Sequence, residues 1–431
     1  TATYLSDADQ FFRRHLLGMR ETQYPNGRFA DVAPAADGFG GILWGSAGIT
    51  IAWETWQQYG DTAVLREHYP AMRDYMNFLA EGVDAETGIM TAGVLGDWLS
   101  PEGNQNDNTL LWESYYIFDL QIMRDIAQLL GKRAEAADYA AQIQTRQQHF
   151  RDTYLEEGGY RTVRSGQVTQ GFGSPPPEQQ VKTIDGKPNY VDTQVSYALP
   201  LALGVVEGEV ADSLAARLVA SVRRNNEDDG GVSHPANSLM TGFIGTAWIS
   251  KALSDYGYTD VAYDLLLNEQ YPSWLYPVTQ GATSIWERLN SYTHEDGFGG
   301  NNSMNSFNHY SFGAVGQWMM AHSLGIQRGE PGFKTFLLRP EPDPTGQLTE
   351  AGGYYDSPYG RIASSWVTDG NGLTYSATVP PNTSALLYLP APSADGVQTS
   401  EGKQGMRFLR HTGRHAVYEL ASGNYRFSVP N

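Results

Sequence analysis

Hydrophobic positions along the first three quarters of the chain recur with the period of an α-helix. The apolar residues of the first such stretch are Leu5, Phe11, Phe12, Leu16 and Met19. Their spacing is typical of one face of an amphipathic helix. The same period predicts further helices over 42–59, 62–82, 108–131, 134–155, 190–204, 207–225, 240–257, 260–268 and 308–324.

Short and long connections alternate between these helices. Gly60 and Gly131 are placed as C-terminal residues of two helices, and Asp61 and Asn108 as N-caps of two others. Long loops rich in Gly, Asn, Pro and aromatic residues are predicted over 24–41, 91–107, 158–189, 228–239 and 271–306. Alternation of this kind is typical of a toroid of helical hairpins with one elaborated face. We therefore predict a mainly α fold, an α/α barrel.

The pattern changes near Gly332, where alternating and β-branched positions replace the helical period. The predicted strands are Phe333–Leu338, Gly360–Val367, Leu373–Val379, Ala385–Tyr388, Arg407–Leu409, Ala416–Glu419 and Tyr425–Val429. Short strands separated by Pro, Gly, Asn and Asp indicate an antiparallel β-sandwich. The predicted domains are thus a barrel over 1–327 and a sandwich over 332–431.

Composition narrows the classes of function. The chain has 431 residues, a net charge of −19 and no cysteine. Such an acidic chain is unsuited to a nucleic-acid partner, because binding phosphates requires clustered Lys and Arg. Without cysteine there are no disulfides or thiolate metal sites. The chain has 10 Trp and 26 Tyr against 16 Phe, and rings with a polar handle suit a sugar site, with core packing as the alternative.

Membrane and cofactor signals are missing from the sequence. No stretch approaches the roughly 20 apolar residues of a spanning helix, and the N-terminus lacks the basic and apolar regions of a signal peptide. We expect a soluble protein without a membrane partner, in the cytoplasm, the periplasm or outside the cell. HExxH, P-loop and GxSxG motifs are absent, so no cofactor and no metal site is predicted.

The strongest candidate chemistry lies in the segment GATSIWERLN, residues 281–290. Glu287 follows Trp286 and the aromatic loop 271–276 in this region. A carboxylate among aromatic rings loses hydration, which suits it to general acid/base catalysis. A surface glutamate paired with Arg288 is the alternative, and the residues alone leave both open.

Two other segments carry candidate polar groups. Asn308 and His309 lie in NSFNHYSFG at the start of a predicted helix, and Asp97 and Trp98 lie in GDWL after a glycine. Both places suit residues that face a ligand. The alternatives are a structural histidine and a turn or N-cap aspartate.

In these segments the chain resembles the bacterial α-L-rhamnosidases of glycoside hydrolase family 78. The matching segments are NGRFADVAP (26–34), WGSAGITIAWETWQQYGD (44–61), LGDWLSPE (95–102), TGFIGTAWISKALSDYGYTDVAYDLLLNEQYPSWLY (241–276), QGATSIWERLNS (280–291), FNHYSFGAVGQW (307–318), PGFKTFLLRPEP (331–342) and YDSPYGRIASSW (355–366). The resemblance implies a six-hairpin α/α barrel followed by a C-terminal β-sandwich. It also implies an inverting glycosidase that releases terminal α-L-rhamnose from a rhamnosylated glycoside or polysaccharide.

The resemblance also implies roles for single residues. Glu287, at the glutamate of the family's IWER motif, is its general base, and His309, at the histidine of the NHY motif, contacts the sugar with Asn308 beside it. Trp98 of the GDW loop lies by the pocket, next to Asp97. The implied pocket walls are Trp44, Trp274 and Trp286.

Two departures from the family pattern affect these expectations. Ser46 stands where many members carry an acid, so one polar sugar contact is altered. The family's general acid lies just upstream of the position that corresponds to Thr1, together with further β-domains, so we expect weak or absent turnover by this chain alone. Upstream domains or a second copy of the chain are the protein partners left open. The substitute acids offered by nearby loops are Asp31, Asp37, Asp97 and Glu102.

Three alternatives to a rhamnosidase remain at this stage. The first is another α/α-barrel carbohydrate enzyme, such as a lyase or a phosphorylase. The second is a sugar-binding fragment without the general acid. The third is a scaffold whose aromatic residues only pack a core.

Overall fold

A computed structural model of the chain describes residues 1–156, 159–161, 163, 190–298 and 304–430. Its α-helices are α1 (Ala2–Leu5), α2 (Asp9–Glu21), α3 (Ile42–Gly45), α4 (Ala47–Tyr59), α5 (Ala63–Glu81), α6 (Asn108–Leu129), α7 (Arg133–Tyr154), α8 (Gln194–Ala202), α9 (Gly208–Arg223), α10 (Phe243–Thr246), α11 (Ile249–Asp255), α12 (Thr259–Leu267), α13 (Tyr276–Thr279) and α14 (Val315–Trp318). These helices confirm the mainly α character of the first three quarters. The loop predicted over 158–189 lies outside the described residues, apart from 159–161 and 163.

The strands are concentrated in the last quarter of the chain. They are β1 (Leu155–Glu156), β2 (Gly159–Arg161), β3 (Tyr190–Val191), β4 (Asn226–Glu227), β5 (Ser233–His234), β6 (Ile326–Arg328), β7 (Thr335–Leu338), β8 (Glu350–Ser357), β9 (Gly360–Asp369), β10 (Gly372–Val379), β11 (Ser384–Pro390), β12 (Gln398–Glu401), β13 (Met406–His411), β14 (His415–Leu420) and β15 (Gly423–Pro430). Two five-stranded sheets have the orders β12-β15-β10-β9-β8 and β13-β14-β11-β7-β6. Their pairings are antiparallel except for the parallel pair β7 and β11.

The chain forms two compact units. One comprises 13–53 and 65–313, and the other comprises Thr1–Phe12, Glu54–Val64 and Ala314–Asn431. Helices α6 and α8 lie deep in the first unit, because most of their residues are buried. In the second unit the core lies between the sheets and includes Trp366, whose Nε1 donates to Ser323 O at 2.9 Å.

At three helix ends, the residues that mark the end in the sequence have the expected local structure. Gly60 and Gly131 adopt φ values of 82° and 75°, a left-handed conformation that glycine reaches without strain. Asp61 Oδ1 accepts the Ala63 N–H at 2.8 Å, as expected of a residue placed before a helix. These three predictions are confirmed.

The N-cap predicted at Asn108 is wrong by one residue. Asp107 has the extended conformation of a cap, and its side chain accepts the Thr109 N–H at 3.0 Å. Asn108 is the first residue of α6, and its side chain lies close to the backbone of Gly96 instead.

Several predicted helices differ from the observed ones. The first stretch forms α1 and α2, and 42–59 forms α3 and α4. The stretch 240–257 forms two short helices, α10 and α11, and Asp97 accepts backbone N–H groups at the start of α10. The stretch 190–204 begins with β3, and α8 starts only at Gln194. In 308–324 the helical turns start at Ser311, so His309 precedes them.

The sequence prediction missed the short strands β1 to β5, and the strands it missed in the two five-stranded sheets lie at sheet edges. Strands β8 and β12 are the two edges of one sheet, and β6 is an edge of the other. Edge strands expose much of both faces and therefore lack a clear hydrophobic alternation. Among the described residues, no helix combines the length and the apolar character that membrane crossing requires.

Candidate active site

Two loop segments pair side by side around Glu287. The His309 N–H donates to Ile285 O and the Glu287 N–H donates to Ser306 O, both at 2.8 Å. The Ser306 N–H in turn donates to Glu287 Oε2 at 2.8 Å. Glu287 is therefore held by its main chain and by one carboxylate oxygen. It is only 9% exposed, which does not fit a surface glutamate.

Side chains from 304 to 310 alternate between exposed and half-buried positions. Asn305, Phe307 and His309 are half-buried, and the residues between them are exposed. This is an alternation of burial only, because the segment contains a turn and bends and forms no strand. The half-buried Phe307 lies against Trp286, with ring centroids 5.1 Å apart and planes at 76°. Asn308 is one of the exposed residues.

His309 lies in a stack of three rings. Its imidazole is 4.8 Å from the ring of Phe243 and 5.3 Å from that of Tyr310, with planes at 24° and 12°. The Ser311 N–H donates to His309 Nδ1 at 3.3 Å. A ring nitrogen that accepts carries no proton, so this bond assigns the proton to Nε2, which is then a donor for a ligand oxygen.

Asp97 organises the backbone that carries Phe243. Its Oδ2 accepts the Gly242 N–H at 2.8 Å, and its Oδ1 accepts the N–H groups of Ile244 and Gly245 at 2.8 and 3.0 Å. Burial raises the pKa of Asp97 to about 6, while these three bonds oppose the rise. Both carboxylate oxygens of Asp97 accept main-chain hydrogen bonds. These bonds position Phe243 against His309. A direct sugar contact by Asp97 stays a prediction.

Two of the predicted tryptophans are hydrogen-bonded to the phenylalanines next to His309. Trp98 O accepts the Phe243 N–H at 2.9 Å. Trp274 is buried, and its Nε1 donates to Phe312 O at 2.9 Å. The Phe312 ring meets the Phe243 ring edge-on at 5.6 Å. Trp98, Trp274 and Asp97 are thus linked to His309 through two phenylalanines.

Trp44 belongs to a neighbouring group of residues. A Cβ added at Gly40 would lie 3.2 Å from Trp44 Cγ and 3.3 Å from Leu95 Cδ1, so the glycine lets both side chains pack closely. The described contacts of Trp44 are in this group and do not join it to Glu287 or His309. Its place as a pocket wall stays a prediction.

Ser46 lies beside a buried carboxyl group that sequence analysis did not single out. Ser46 Oγ donates to Asp119 Oδ2 at 2.5 Å, and both residues are fully buried. Desolvation raises the pKa of Asp119 well above its ordinary value. Asp119 of α6, held as a neutral acid, is therefore hydrogen-bonded to Ser46. Ser46 stands at the position where many members of the family carry an acid of their own.

Sequence analysis also missed Phe243, Ser306 and the part played by Tyr310. Phe243 and Ser306 act through ring stacking and a main-chain N–H, which single-residue chemistry does not reveal. The alternation over 304–310 is weak in the sequence, because Met304 and Tyr310 are exposed whereas Asn305 is half-buried. Among the described residues, no group of three or more His, Asp or Glu side chains is arranged to hold a metal.

Comparison with known proteins identifies relatives of both parts of the chain. The bacterial alpha-L-rhamnosidase 6 hairpin glycosidase domain matches residues 1–323, and the bacterial alpha-L-rhamnosidase C-terminal domain matches residues 325–404. The alpha-L-rhamnosidase of Streptomyces avermitilis is 32% identical over the whole chain, and that of Formosa agariphila is 29% identical. The chain spans 37% and 43% of their respective lengths.

Solved structures agree with this assignment. The Streptomyces avermitilis alpha-L-rhamnosidase complexed with L-rhamnose matches 98% of the chain with a TM-score of 0.81, and 36% of its own chain is covered. The alpha-L-rhamnosidase of Dictyoglumus thermophilum, 26% identical, matches 99% with a TM-score of 0.80, and 44% of it is covered. These matches confirm the six-hairpin fold and the C-terminal β-domain expected from the motifs. The chain belongs to the bacterial α-L-rhamnosidase family.

Proposed function

We propose that this chain carries Glu287 as the water-activating base of an α-L-rhamnosidase site and hydrolyses terminal α-L-rhamnosides with inversion. The observation that carries the proposal is the anchoring of Glu287, buried next to Trp286 and fixed through Oε2 by the Ser306 N–H. With Oε2 anchored in this way, Oε1 is the oxygen that we assign to proton transfer. A relative 32% identical to this chain was solved with L-rhamnose, which supports the same sugar here.

The proposed roles follow from the contacts. Glu287 takes a proton from the attacking water, and His309 donates from Nε2 to a rhamnose hydroxyl. The exposed Asn308 offers a second polar contact in the same segment. Trp286, Trp44, Trp98 and Trp274 shape the apolar walls that cover the sugar ring and its methyl group.

A leaving-group series tests this assignment. Inverting glycosidases also require an acid that protonates the leaving oxygen, but 2,4-dinitrophenolate departs without protonation. We expect the chain to hydrolyse 2,4-dinitrophenyl α-L-rhamnoside faster than methyl α-L-rhamnoside, and Glu287→Gln to lower the former rate by about 100-fold or more. Glu295→Gln, an exposed change in the same loop, is the matched control. An unchanged rate in Glu287→Gln overturns the assignment.

One observation favours a second candidate, rhamnose binding without turnover. Of the four acids that the sequence offers as proton donors, Asp97 and Glu102 are buried and already accept main-chain N–H groups; Glu102 Oε1 accepts that of Gln194 at 2.7 Å. The other two, Asp31 and Asp37, are exposed. Calorimetric binding of L-rhamnose without hydrolysis of the dinitrophenyl glycoside would support this second function.

A further inference from the structure

Tyr310 presents an aromatic ring to solvent directly beside His309. The residue is 85% exposed, whereas large aromatic side chains are on average well buried. One face of the ring lies along His309, with the planes at 12°. Given this exposure, the opposite face is open.

The exposed ring is held in place rather than free to swing. It forms the outer layer of the stack in which His309 lies on Phe243. Tyr310 O accepts the Gly313 N–H at 2.9 Å, and the His309 N–H is bound to Ile285 O. The main chain is therefore fixed on both sides of the ring. A flat surface prepared in this way loses little conformational entropy when a ligand covers it.

The surroundings of Tyr310 combine apolar and polar groups. Ile285 is 42% exposed, and its Cγ1 would lie 3.5 Å from a Cβ added at Gly313. Asn308 is exposed like Tyr310, and its N–H donates to Ser306 Oγ at 3.2 Å. Ile285 thus adds apolar area near the exposed ring.

We propose that the outer face of Tyr310 binds the aglycone and that this group is a flat aromatic ring. The inference rests on the proposed function, because it needs rhamnose to be bound beside His309. A planar aryl group continues the nearly parallel stack of Phe243, His309 and Tyr310.

The test compares two glycosides by calorimetry in a Glu287→Gln background, so that neither is consumed. We expect 4-nitrophenyl α-L-rhamnoside to bind about three- to tenfold more tightly than methyl α-L-rhamnoside. Tyr310→Ala should bring the ratio of the two affinities to about one, and Tyr310→Phe should preserve it. Tyr359→Ala, which removes a part-exposed tyrosine of the C-terminal unit, is the control that keeps the ratio.

The other possible results contradict either the aglycone proposal or the proposed function. An aryl preference that survives Tyr310→Ala, or no aryl preference at all, overturns the aglycone surface while leaving rhamnose binding intact. Equal loss of both affinities in Tyr310→Ala shows that the ring only supports His309, which also overturns it. Failure of both glycosides to bind with Tyr310 in place overturns the proposed function itself.

Discussion

At the scale of single residues, Asp97 shapes the site through the main chain. Its carboxylate accepts hydrogen bonds from three main-chain N–H groups next to Phe243. The ring of Phe243 in turn stacks on that of His309. A motif comparison places Asp97 by the pocket, but the direction of its oxygens depends on residues about 145 positions away. The sequence therefore identifies Asp97 as a candidate site residue but does not reveal which groups its carboxylate binds.

Replacing Asp97 tests this positioning role. Asp97→Asn turns one acceptor into a donor that faces N–H groups, so we expect a loss of roughly 1–3 kcal/mol in the free energy of unfolding. The imidazole resonances of His309 should shift as Phe243 moves. Asp37→Asn, at an exposed aspartate that accepts the Gly38 N–H, is the control for both readouts. An unfolding free energy and resonances equal to those of the control contradict the role.

Asp119 gives a prediction about pH. Burial raises its pKa in the folded chain, while the hydrogen bond from Ser46 opposes the rise, so the unfolded chain gives up this proton first. The stability that the neutral acid contributes is present below about pH 4 and is lost as pH rises toward the folded pKa. Asp119→Asn cannot ionise and retains an acceptor for Ser46. Urea unfolding at pH 4 and pH 6 should show that the free energy of unfolding falls less over this interval in the variant than in the unchanged chain.

The control for this measurement is Asp125→Asn, a part-exposed change on the same helix. Equal pH dependence in the chain and in Asp119→Asn would contradict a strongly raised pKa. Tyr75 Oη and Asp119 Oδ1 are both buried without a hydrogen bond in the described structure, which fits a carboxyl group that remains neutral.

At the scale of elements, local patterns explain the long helices and the central strands. Helices α5, α6 and α7 are long enough for a period to show, and Gly60 and Gly131 act locally at the ends of α4 and α6. The start of α10 is bound by Asp97, a contact from far along the chain that no local pattern in 240–257 reveals. Edge strands β8 and β12 escaped prediction because their residues are largely exposed.

The close approach of two loops gives an element-scale prediction. A Cβ added at Gly242 would lie 2.2 Å from Trp98 O and 2.6 Å from Ser100 N, both main-chain atoms that cannot swing aside. Gly242→Ala should therefore cost roughly 1–3 kcal/mol in urea unfolding. Gly370→Ala, where no atom lies within 4 Å of the added Cβ, should cost little. Equal effects of the two changes would show that the loops are not in close contact.

At the scale of the whole molecule, the net charge of −19 favours a neutral ligand. A uronate polymer would be repelled by this charge, and the repulsion would weaken with added salt. We expect L-rhamnose affinity to be the same at 50 and 500 mM NaCl, and polygalacturonate to give no binding heat at either concentration. Binding of the polymer at low salt would instead favour a lyase-like function.

The central claim is that Glu287 activates water for attack on the face of the sugar opposite the leaving group. The most direct measurement is proton NMR of the rhamnose first released from 2,4-dinitrophenyl α-L-rhamnoside, before the anomers equilibrate. The account predicts that β-L-rhamnose appears first, since a single displacement inverts the anomeric carbon. Initial release of α-L-rhamnose would contradict it.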